Sequence, residues 1–114
     1  MLDETLTYGL SPGRRDGTTI LKLTGPLTLS TIFLFQDEFR SLKPQVLILD
    51  LSDTPYMDSA GLGLIMNYYV AADNSGRHIV LAGVGYRISA LLQTTRVDTI
   101  LKSYPSVADA EASL

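Results

Sequence analysis

Residues 45–51 read QVLILDL, a run that is apolar almost throughout. A strand with one face in water alternates apolar and polar side chains. A continuous run has no face for water and needs cover on both sides, as in the interior of a parallel sheet. The rest of the chain supplies the parts for such a sheet. TLTYGL (5–10) alternates as a short strand, and the segment after it, GLSPGRRDG (9–17), is rich in turn formers. TTILKLTG (18–25) then puts Ile20, Lys22 and Thr24 on one side and Thr19, Leu21 and Leu23 on the other. The two strands are expected to form a hairpin.

Helical periodicity follows. Gly25 and Pro26 end the second strand, and Ile32, Phe35, Phe39 and Leu42 recur at helical spacing between Ser30 and Leu42, with Lys43-Pro44 as the stop. Ser59 to Asn74 is a predicted helix with Leu62, Ile65, Met66 and Tyr69 inward, ended by Gly76 in a left-handed conformation. HIVLA (78–82) is a strand, and Tyr86 to Thr94 a shorter helix with Ile88, Leu91 and Leu92 inward. DTILKS (98–103) reads as a short edge strand, and SVADAEAS (106–113) as a last helix capped by Ser106. The order β-β-α-β-α-β-α-β-α predicts one α/β domain over residues 1–114. Its mixed sheet has four to five strands and about four packed helices.

Composition removes several function classes. The chain has 114 residues, of which 46% are hydrophobic and 18% charged, enough for a packed core. No apolar run approaches the roughly 20 residues of a membrane helix, and MLDETLTYGL has no basic, apolar leader. The expectation is a cytoplasmic protein that does not insert into membranes. Cysteine is absent, which excludes disulfides, thiolate zinc sites and thiol catalysis. With a single histidine as well, no metal or cofactor is expected. The net charge is −3 and only Arg14 and Arg15 are adjacent cations, so nucleic acid finds no basic footprint.

The segment DTPYMDSAGLG (53–63) joins the central strand to the long helix. Such a turn lies at the carboxyl end of a strand, where sites form in open α/β sheets. Asp58 or Ser59 is placed to cap the helix. Gly61 and Gly63 each cost about 1 kcal/mol relative to alanine in a helix, a cost that makes sense if something must approach the backbone closely. The bare turn leaves the Ser59 hydroxyl within reach of another protein. Tyr56 and Met57 fall outside any period, and read as plugs beneath the loop or as anchors for a partner. A serine hydrolase built on Asp58, Ser59 and His78 is a poor fit: Gly-x-Ser-x-Gly is missing and His78 belongs at the far end of the helix. No lysine follows the glycines, so there is no phosphate loop. The glycines of GVG (83–85) read as backbone flexibility, and Asp37-Glu38 to Arg40 as a solvated helix face.

VLILDLSDTPYMDSAGLGLI resembles the signature of the STAS domain family, in particular its bacterial anti-sigma factor antagonists. The matching residues are Asp50-Leu51-Ser52 and Asp58-Ser59-Ala60-Gly61-Leu62-Gly63. The likeness extends to the hairpin, to Gly25-Pro26-Leu27 and to the SVADAEASL ending. It implies a protein-binding switch without enzymatic activity of its own. The partner would be an anti-sigma factor that is also a serine kinase, phosphorylating Ser59, with a phosphatase reversing the step. The unmodified protein would sequester the kinase and so regulate transcription. The implied contact surface comprises Asp53, Tyr56, Met57 and Asp58, then Ser59, Ala60, Gly61, Leu62 and Gly63. The resemblance also admits a subunit docked constitutively in a lipid-transport ATPase or another regulatory complex. In one place the sequence departs from the pattern: related antagonists often have Gly-x-Leu-Asp before the first helix, where Thr28 stands here. Thr28 is able to cap a helix but cannot supply that carboxylate.

Overall fold

The computed structural model describes residues 5–114. Five strands form one sheet in the order β1-β2-β3-β4-β5. β1 (Thr7–Pro12) and β2 (Thr18–Thr24) are the antiparallel hairpin. β3 (Val46–Asp53), β4 (His78–Ala82) and β5 (Ser103–Tyr104) add to β2 in parallel. β3 is therefore central, as its apolar run requires.

The two faces of β3 enter different cores. Leu47, Leu49 and Leu51 are fully buried in the larger cluster. They meet side chains from α1 (Gln36–Ser41), α2 (Ser59–Asn74) and α3 (Tyr86–Thr94). Ile48 points the other way, into a smaller cluster with Val80, Ala82 and Ala110 of α4 (Val107–Ala112). Each such leucine or isoleucine contributes about 1.5–3 kcal/mol on leaving water. Ser106 caps α4, its hydroxyl accepting the Asp109 N–H at 3.1 Å.

Three local expectations need correction. The first helix is broken: Ile32–Leu34 form a 3-10 turn and α1 starts only at Gln36, because Phe35 (φ −145°, ψ −1°) leaves helical geometry. Phe35 and Phe39 nevertheless both sink into the core, where Phe39 stacks on Tyr68 with ring centroids 4.7 Å apart. Tertiary burial of the aromatics thus outweighs helix continuity. On α2 the inward residues are Gly61, Leu62, Leu64, Ile65, Tyr68 and Ala72, while Met66 and Tyr69 are only partly covered. The last strand is displaced from 98–103 to Ser103–Tyr104. Ile100 and Leu101 donate their N–H groups to Val97 O, both at 2.9 Å, so this stretch spends its hydrogen bonds locally.

At the other end of α2, Gly76 takes φ +72° and Arg77 N–H reaches Ala72 O at 2.8 Å, which closes the helix as expected. Gly83 is constrained where flexibility was expected. Its φ is +71°, and a Cβ there would lie 2.8 Å from Ser52 Cβ. Among the described residues no helix is long and apolar enough to cross a membrane.

Candidate functional site

The carboxyl ends of β2 and β3 carry two loops that are fastened to each other. Leu27 N–H donates to Tyr56 O at 3.1 Å and Asp58 N–H donates to Leu27 O at 3.2 Å, so Leu27 and Met57 pair like a fragment of parallel sheet. Asp58 completes the join. Its Oδ1 accepts the Gly61 N–H and its Oδ2 accepts the Leu29 N–H, each at 3.0 Å. One carboxylate thus caps α2 and anchors the neighbouring loop. Burial pushes the Asp58 pKa up, but the N–H donors of Leu29, Gly61 and Ala60 outweigh it and hold the carboxyl below its ordinary value.

Asp58 takes the capping role, which leaves Ser59 at the first helical position with its side chain exposed. The two glycines divide in function. A Cβ on Gly61 would fall 2.4 Å from Leu27 O, so the close approach that the sequence demanded is made by the protein's own loop. A Cβ on Gly63 would meet nothing within 4 Å.

The residues marked from the sequence separate by depth. Asp53 and Ser59 are exposed, and Tyr56, Asp58, Ala60 and Gly63 half-buried. Met57, Gly61 and Leu62 are buried and shape the turn from beneath. Asp53 Oδ2 pairs with Lys22 Nζ at 3.1 Å. Tyr56 lies under the Arg87 guanidinium, 4.6 Å from the ring centroid. His78 sits at the start of β4, beyond the C-terminus of α2. About 24 Å of helix therefore separates it from Ser59, and the hydrolase triad is not assembled.

Thr28 does not use its hydroxyl to cap a helix. It is buried, its hydroxyl is 3.0 Å from Ser30 Oγ, and the adjoining 3-10 turn has no side-chain cap. Thr31 organises the loop instead, its hydroxyl donating to Pro26 O at 2.8 Å and accepting the Thr28 N–H at 2.9 Å. Sequence reasoning passed over Leu29, Thr31, Lys22 and Arg87. The first two lie in a loop without periodicity, and Lys22 and Arg87 reach the site only through the pairing of β2 and β4 with β3.

A family model described as the STAS domain matches residues 12–110. The chain belongs to the STAS domain family. This STAS domain is 29% identical over 99 residues to a protein of Thermotoga maritima named a putative anti-sigma factor antagonist, covering 83% of this chain and 88% of that protein. A crystal structure of a putative anti-sigma factor antagonist from Thermotoga maritima superimposes with a TM-score of 0.80 at 26% identity, over 93% of this chain and 92% of the other. An anti-sigma factor antagonist from Mycobacterium paratuberculosis matches in fold, with a TM-score of 0.82 at 19% identity, over 95% of this chain and 92% of the other.

Proposed function

We propose that this STAS domain is an anti-sigma factor antagonist that acts in the cytoplasm by binding, without catalytic turnover, and is switched at Ser59. The observation that carries the reading is the division of labour between Asp58 and Ser59. Asp58 supplies the cap, and Ser59 stands exposed at the head of a 16-residue helix. Phosphorylation adds about −1.5 to −2 charges at neutral pH. The helix N-terminus tolerates that charge within the domain. At a packed interface the same dianion must be desolvated, beside the charges of Asp58 and Asp53, and contact with the partner weakens. The partner of this reading is an anti-sigma factor with serine kinase activity, and a phosphatase restores the hydroxyl. The names of the Thermotoga and Mycobacterium relatives support the antagonist role.

The test is the affinity of four forms for the kinase recovered with this protein: unmodified, Ser59→Ala, Ser59→Asp and phosphorylated. Unmodified and Ser59→Ala should bind alike, Ser59→Asp more weakly, and the phosphoprotein weakest. Equal affinities across the set would sink the switch and leave constitutive docking.

A further inference from the structure

A cavity lies against the same helix, away from the serine turn. It measures about 300 Å³ and is lined by Arg40, Lys43, Asn67, Tyr68, Ala71 and Arg77. In a chain of net charge −3, three of the nine lysines and arginines converge here with no carboxylate in the lining. Among the described residues the one carboxylate–cation pair is Lys22 with Asp53, so Arg40, Lys43 and Arg77 lack an acidic partner within that set. Asp73, the acid of α2, lines the adjoining cavity and not this one.

Arg77 is held in place without being neutralised. Its Nη1 donates to Leu42 O at 3.3 Å and to Tyr68 Oη at 3.4 Å, and its guanidinium lies over the Tyr68 ring, 5.7 Å from the centroid. Tyr68 Oη in turn donates to Leu42 O at 2.9 Å. A guanidinium has five N–H donors in a fixed fork, so most of those on Arg77 remain uncommitted in a fixed orientation. Asn67 adds an amide. Guanidinium forks match oxyanions in bidentate geometry, and an ammonium group is a compact partner for phosphate.

From these residues we infer that the cavity between the C-terminal turn of α1 and the outer face of α2 is a binding site for a phosphate group. The site takes either free phosphate or a phosphate monoester on a small metabolite. Asn67 lies about 12 Å along α2 from Ser59, so this site is separate from the serine turn and does not depend on the reading of that turn.

Amide chemical shifts of the full chain, followed at constant ionic strength, test the site with inorganic phosphate, ribose 5-phosphate and acetate. Saturable shifts confined to Arg40, Lys43, Asn67, Ala71 and Arg77 are expected, with both phosphates at least about tenfold tighter than acetate. Tighter binding of ribose 5-phosphate than of inorganic phosphate identifies a monoester as the ligand, and equal binding identifies free phosphate. Arg40 and Lys43 are exposed, so the double variant Arg40→Gln, Lys43→Gln should keep its fold and lose at least about tenfold in phosphate affinity. Shifts that stay linear, acetate equal to phosphate, or an unaffected double variant would overturn the assignment.

Discussion

Gly61 and Leu27 are in backbone contact: a Cβ on Gly61 would lie 2.4 Å from Leu27 O. The obstacle is a carbonyl held by its own hydrogen bond to Asp58 N–H, so it has little room to retreat. Gly61→Ala should therefore destabilise the domain by about 1–3 kcal/mol through overpacking, despite the better helix propensity of alanine. Gly63→Ala, which meets nothing, should stabilise it by about 0.5–1 kcal/mol. Urea denaturation of both variants checks the contrast, and equal effects would mean that the loop yields.

Asp58 should carry more stability than an ordinary cap, since it serves two backbone donors. Asp58→Ala is expected to cost about 1–2 kcal/mol. The pH dependence has a definite sign. The folded pKa lies below the ordinary 3.8, so the unfolded chain takes up the proton first. The contribution is complete above that ordinary value and is lost as pH falls through it towards the folded pKa. Denaturation midpoints from pH 6 down to about pH 2 should fall less steeply in Asp58→Asn than in the unsubstituted protein.

Ser59→Ala should leave stability within about 0.5 kcal/mol of the parent, because the cap belongs to its neighbour. Thermal unfolding checks this independently of any partner. A loss near the full value of a cap would show that Ser59 shares the role of Asp58.

Amide exchange should be slowest along Val46 to Leu49 of β3, which is paired on both sides and buried on both faces. Fast exchange there, with slow exchange at Tyr8 in the edge strand β1, would invert the sheet.

The serine turn was legible in the sequence because its signals are local. An apolar run, an acid placed to cap, a glycine within the first helical turn and a helix stop at Gly76 each act over a few residues, and α2 is found at Ser59–Asn74 as they indicate. The same reasoning misread residues 30–42 and 98–103. There the spacing suits a helix or a strand, but the outcome depended on which side chains the core accepted: Phe35 and Phe39 in the first case, Val97 and Leu101 in the second.

Charge and close approach were decided still less locally. From sequence alone, Gly61 and Gly63 look alike, as do Asp58 and Ser59. Only the loop carrying Leu27 and Leu29, brought alongside by the parallel pairing of β2 with β3, assigns one glycine to packing and one carboxylate to two N–H groups. Arg40, Lys43 and Arg77 are likewise scattered in sequence and converge only when α1 and the end of α2 pack together. Elements and their order thus follow from short-range periodicity and backbone geometry. Which residue of each pair does the work follows from contacts across the chain, made only when the sheet is assembled.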